Sequence, residues 1–83
     1  MYKGKVLITL KKGVLDPQGE AVKKSFHVLD YKEVRDVRVG KYIEVWLNQD
    51  SPEAAYRELV EMCDKLLANP VIEQYEVEVV EVE

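Results

Sequence analysis

Two helix starts of the same design organise this chain. Asp16-Pro17 and Ser51-Pro52 each offer a side-chain oxygen as an N-cap, then a proline at the first helical position, where the missing N–H costs nothing and the fixed φ suits the helix. The two caps stand 35 residues apart, and each lies between stretches of alternating apolar and polar residues. The chain therefore reads as two similar halves, strand-helix-strand twice over.

In the first half, Val6, Ile8 and Leu10 alternate with Lys5, Leu7, Thr9 and Lys11, which predicts a strand from Lys3 to Lys11. Gly13 suits the sharp exit from that strand. Gly19 costs helix propensity by about 1 kcal/mol against alanine in the first turn, which makes sense where another chain could approach closely. Val22, Ser25, Phe26 and Leu29 then form a helical stripe, with Lys23, Lys24 and His27 off it, so the first helix runs from Pro17 to about Leu29. Val37 and Val39 alternate with Asp36 and Arg38, predicting a second strand around Glu33 to Val39. Gly40-Lys41 supplies a two-residue turn of the type II′ preference into a third strand, Tyr42 to Asn48.

The second half repeats the logic. Ala55, Leu59, Met62 and Leu66 make a stripe widened by Val60, Cys63 and Leu67, and Pro70 closes this helix by about Ala68. A terminal strand follows, with Tyr75, Val77 and Val79 against Gln74, Glu76 and Glu78, until Val79-Val80 breaks the phase as a bulge or as the last pairing. The expected fold is α+β, βαββαβ: one domain over residues 1–83, an antiparallel four-stranded sheet with two helices on one face, in the ferredoxin-like arrangement. If both helices cover the face of Val6, Ile8, Val37, Val39, Ile43, Val45, Leu47, Val77 and Val79, the other face displays Leu7, Tyr42, Trp46 and Val80. Tyr42 and Trp46 on an open sheet predict a self-association or partner surface.

A core limited to 83 residues gains from oligomerisation. The net charge of −4 argues against a general nucleic-acid binder, and no apolar run long enough for a membrane span and no signal-peptide pattern occurs, so the expected location is cytoplasmic. One cysteine and one histidine provide no metal cluster. Asp16 has no partner carboxylate or histidine at catalytic spacing and is explained by capping. Gly13 to Gly19 lacks the Walker lysine and hydroxyl, and Asp16 would repel phosphate. Cys63 reads as packing and His27 as a polar position on an exposed helix face. Arg35, Arg38 and Lys41 could meet an acidic partner, whereas Glu73, Glu76, Glu78, Glu81 and Glu83 read as a solvated acidic face.

With Lys11-Lys12 in front, the stretch Gly13-Val14-Leu15-Asp16-Pro17-Gln18-Gly19 resembles the signature of the PurS family, the small subunit of phosphoribosylformylglycinamidine synthase in bacterial and archaeal purine synthesis. Two further segments agree: Asp36-Val37-Arg38-Val39-Gly40-Lys41-Tyr42-Ile43-Glu44 and Met62-Cys63-Asp64-Lys65-Leu66-Leu67-Ala68-Asn69-Pro70-Val71-Ile72-Glu73. One departure is Asp30, where the family usually carries glycine, so the first helix must end on a residue less tolerant of the left-handed conformation.

The resemblance implies a PurS-like homodimer or higher homo-oligomer that is a non-catalytic subunit of a glutamine-dependent ligase. In such a complex PurL activates formylglycinamide ribonucleotide with ATP and magnesium, PurQ releases ammonia from glutamine, and PurS bridges the two and helps form or gate the ammonia route. No catalytic, cofactor-binding or metal residue carries over. The positions that do carry over, for contact or shaping, are Gly13, Asp16, Pro17, Gln18 and Gly19, with Arg38, Gly40 and Lys41. Two other readings share the architecture: an RNA-recognition module, against which the acidic balance and Glu44 between Tyr42 and Trp46 argue, and a regulatory domain holding a small molecule at Gly13 to Gly19.

Overall fold

The computed structural model describes residues 1–82, so Glu83 of the acidic tail lies outside the described residues. The elements are strand β1 (Tyr2–Leu10), helix α1 (Pro17–Val28), strand β2 (Lys41–Leu47), helix α2 (Pro52–Met62), a π-helical turn (Cys63–Leu67) and strand β3 (Glu73–Glu81). The sheet is antiparallel in the order β2-β1-β3. β1 pairs with β2 from Tyr2 opposite Leu47 to Ile8 opposite Lys41, and with β3 from Tyr2 opposite Glu81 to Leu10 opposite Glu73. Register with β3 is continuous through Val79 and Val80, so no bulge interrupts it there.

The alternation dictates the two faces. Val6, Ile8 and Leu47 point to one side and are buried with Ala55, Leu59 and Cys63, while Ile43, Val45, Tyr75, Val77 and Val79 pack around them. Gly4 is what lets α2 sit down on β1, since a Cβ there would overlap the Leu59 side chain. Ser51 caps α2 by accepting from Ala54 N–H at 3.2 Å. Beyond Met62 the helix widens by one residue per turn, marked by Ala68 N–H donating to Cys63 O at 3.0 Å. That extra residue rotates the stripe: Leu67 and Ala68 turn inward and Leu66, expected on the core face, is 81% exposed.

Three expectations for the first half need correcting. Residues 33–39 form no strand, so the sheet has three strands among the described residues. The backbone of this segment instead crosses the start of helix α1, with Val37 O over Gly19 and Val39 N–H donating to Asp16. Gly40-Lys41 is accordingly no hairpin turn: a type II′ turn needs a positive φ at Gly40, and Gly13 is the glycine that has one, at 91°. Instead Gly40 permits close approach, because a Cβ there would overlap Ile8 O of β1.

The third correction concerns the helices. α2 packs on β1 and β3, but α1 has no substantial packing against the sheet or α2. It projects with its following segment as an arm, giving a molecule 51 Å long and 14 Å thick. Its stripe residues Val22, Phe26 and Leu29 are exposed. The side nominally polar, with Gly19, Lys23 and His27, is the better covered one. His27 is therefore half-buried instead of solvated, its Nε2 lying 2.8 Å from Val34 O. The helix ends as its sequence requires: Asp30 takes φ 75°, and Tyr31 N–H donates to Phe26 O at 2.9 Å.

Candidate functional site

The two ends of the arm meet the sheet at one place, and Asp16 ties them together. Its Oδ1 accepts from Gly19 N–H at 2.9 Å, the N-cap bond, while Oδ2 accepts from Val39 N–H at 2.9 Å across 23 residues. These two backbone donors, Gly19 first, hold the carboxyl below the ordinary aspartate range. Gly19 is buried because the strap formed by residues 36–39 crosses it: a Cβ would overlap Val37 O. The close approach expected at Gly19 is thus made by this chain's own strap. Arg38 completes the crossing by donating from its guanidinium to Leu10 O at 2.7 Å.

Around this crossing lies a cleft of about 290 Å³. Asp16, Pro17 and Gln18 form one wall, Val39, Gly40 and Lys41 a second, and the end of β1 with Glu73 closes it. Five of the eight sequence-predicted contact positions therefore line one cleft, although Asp16 and Lys41 are 25 residues apart. Gly19 and Arg38 brace it from outside, and Gly13 stands off, its turn facing open space.

Sequence reasoning placed Glu73 on a solvated acidic face; the structure puts it in the cleft. Its carboxylate accepts from Asn69 N–H at 2.7 Å and pairs with Lys41 at 3.3 Å. The Asn69 donor chiefly, with Lys41, keeps its carboxyl below the usual glutamate value. The available signal was positional, since Glu73 closes the third motif and precedes the alternating run.

The cleft's carboxylates serve the backbone around it. Both carboxylates on the cleft wall are already committed to backbone donors and are held anionic, so neither is poised to exchange protons near neutral pH. Cys63 is buried at the start of the π-helical turn, where burial pushes its thiol up. Tyr75, whose hydroxyl donates to Asp64 at 2.8 Å, is pushed up to about 12 by that bond. No cluster of metal-ligating side chains occurs among the described residues.

The opposite sheet face is open, as the alternation predicted. Leu7, Tyr42 and Trp46 are 45%, 57% and 56% exposed. They sit in a lattice of charges: Lys3 pairs with Glu44 and lies 5.4 Å from the Trp46 ring centroid, and Lys5 pairs with Glu78 at 3.7 Å.

Among the described residues, fold and site together define a small α+β domain, a three-stranded sheet with one packed helix and one projecting arm whose crossing makes a shaped cleft. A family model described as PurS, phosphoribosylformylglycinamidine (FGAM) synthase, matches residues 3–81. The Bacillus subtilis phosphoribosylformylglycinamidine synthase subunit PurS is 51% identical over 82 residues, 99% of this chain and 96% of that one, and a crystal structure of B. subtilis PurS superposes with a TM-score of 0.86 over 98% of this chain and 100% of that one. The Methanocaldococcus jannaschii PurS structure, one of the subunits of formylglycinamide ribonucleotide amidotransferase in the purine biosynthetic pathway, is 42% identical over all of both chains, with a TM-score of 0.89. A chain in the structure of PurLQS from Thermotoga maritima is 28% identical with a TM-score of 0.84, covering 96% of this chain and 99% of that one. This chain belongs to the PurS family of phosphoribosylformylglycinamidine synthase subunits.

Proposed function

We propose that this chain bridges a PurL synthetase subunit and a PurQ glutaminase subunit, contributes no reacting group, and assists the passage of ammonia between them. The observation that carries this reading is the cleft at Asp16 and Lys41: segments from all three motifs converge on it, yet its two carboxylates are spent on structure. A site built by converging motifs but lacking a free acid, base or nucleophile suits a surface that holds a partner in place. The Thermotoga maritima relative within PurLQS supports partners of this type. ATP and magnesium then act at the PurL partner. Self-association through Tyr42 and Trp46 fits a sheet face left open by the described residues. Glu44, Glu76 and Glu78 on that face would repel phosphates, which favours a protein partner over RNA.

The test compares glutamine with free ammonium as nitrogen source in a mixture of PurL, PurQ and this chain. Leaving the chain out is expected to depress the glutamine-driven rate far more than the rate at high ammonium, which bypasses delivery. Equal loss of both would place the chain in shaping the synthetase site, and no loss of either would reject the reading. Gln18→Ala and Lys41→Ala, on facing walls of the cleft, should reproduce part of the glutamine-specific loss.

A further inference from the structure

Strand β3 is an open edge of the sheet, and its register fixes which backbone groups it offers. At the two ends of the β1–β3 ladder, Lys11 N–H donates to Ile72 O at 2.8 Å and Val82 N–H donates to Met1 O at 2.9 Å. Hydrogen-bonded and non-hydrogen-bonded pairs alternate along an antiparallel ladder, so Gln74, Glu76, Glu78 and Val80 turn their amides and carbonyls to β1. Tyr75, Val77 and Val79 turn theirs outward, where no backbone partner meets them among the described residues.

The edge is flanked differently on its two faces. On the helix side, Pro52 and Tyr56 of α2, with Glu53 and Arg57 beside them, line a groove of about 520 Å³ with Val77 and Val79. On the open side stand Glu76 and Glu78. Glu78 pairs with Lys5 at 3.7 Å, and Glu76 pairs with no cation among the described residues. The other edge, at β2, has no such groove, because α2 has no substantial packing on that strand.

A strand added at β3 would put every second side chain into the groove and the alternate ones beside Glu76 and Glu78. The first set meets tyrosine and valine and favours apolar residues, while the second meets carboxylates and favours lysine or arginine. The β3 strand of a second copy lacks that pattern. Paired antiparallel about Val77, it would set Glu76 of each copy against Glu78 of the other.

We infer that the β3 edge and its groove form a docking site for an extended segment of a partner protein, one that alternates basic and apolar residues and binds by strand addition. The groove shares no lining residue with the cleft at Asp16 and Lys41.

Amide exchange in the full chain tests it, with two capped synthetic hexapeptides as probes, one alternating lysine and valine and the other glutamate and valine. At saturating lysine–valine peptide, exchange at Val77 and Val79 should slow about tenfold or more, while Glu76 and Glu78, already bonded to β1, stay as they are. The glutamate–valine peptide should leave all four unchanged. Glu76→Lys combined with Glu78→Lys should weaken the lysine–valine peptide about tenfold and admit the glutamate–valine one. Tyr56→Ser, on the groove wall, provides a second variant and should weaken the lysine–valine peptide about fivefold. No slowing at Val77 and Val79 up to millimolar peptide, equal slowing by both peptides, or unchanged binding by both folded variants would overturn the site. So would protection of those two amides in the protein alone that neither peptide alters, since the edge would then already be covered by a second copy.

Discussion

The body and the arm are held by different forces. In the body, Val6, Ile8, Leu59 and Cys63 are fully buried and β1 is paired along both edges, so apolar burial and a complete ladder carry the stability. In the arm the apolar stripe is uncovered, and a handful of polar contacts fix α1 to its connection and the strap to β1: Asp16 to two backbone amides, His27 against Val34, and Arg38 to Leu10. Such contacts are directional and individually modest. They set the angle at which α1 leaves the sheet without burying its stripe. The chain is thus divided between a body that buries the core and an arm whose apolar stripe the body does not cover.

The largest expected effect is in the body. Leu59→Ala should cost about 2–5 kcal/mol, because Leu59 fills the gap that Gly4 leaves open, and should lower the denaturant midpoint accordingly. Phe26→Ala should change it by less than about 0.5 kcal/mol. Similar losses from both would abolish the distinction between body and arm.

Gly19→Ala is expected to come next. The new methyl meets a backbone carbonyl, which cannot rotate away, so the strap must lift at a cost of about 1–3 kcal/mol. The measurement is amide exchange: Val39 N–H should lose protection while β1 amides keep theirs, and loss of protection in β1 would show that arm and body unfold as one unit.

Removing the clamp itself should be milder. Asp16→Ala should speed exchange at Gly19 and Val39 about tenfold, and Asp16→Asn by less, since an amide oxygen still accepts. The pH dependence has a defined sign. Asp16's folded carboxyl titrates below its unfolded value, near pH 4, so its contribution is complete above that value and is lost as pH falls through the depressed folded one. Arm amides should therefore lose protection in acid before β1 amides do. Asp16→Asn should remove that difference.

The smallest effect sharpens the account of the cleft. Lys41→Met deletes the ion pair with Glu73, but the first cause of the depressed Glu73 carboxyl is the Asn69 amide. A carbon-detected titration should find Glu73 moved only part of the way back to the ordinary glutamate value. A full return would mean that Lys41, and not the backbone, sets the charge in the cleft.

Much of this protein was legible in its residues because the signals were local. Asp16-Pro17 and Ser51-Pro52 begin helices where they should, Asp30 takes the left-handed cap, and the alternation of β1, β2 and β3 gives the correct faces, including the exposed Tyr42 and Trp46. Where the reading failed, a local pattern was asked a non-local question. Period-two alternation at Val37 and Val39 reports extended backbone, but whether an extended segment pairs as a strand depends on what lies beside it, and here that is α1. The Val22-Phe26-Leu29 stripe reports a helix with an apolar side and not the surface that covers it. Leu66 fell off the core face because a π turn shifts the phase after Cys63. The motifs contain seven of the ten cleft residues, yet only the crossing of strap over helix start brought Asp16, Lys41 and Glu73 together. Sequence by itself determined where the backbone starts, stops and turns, since those choices are made within a few bonds. Tertiary structure decided which extended segment pairs and which apolar stripe is buried, since both depend on contacts between residues far apart in the chain.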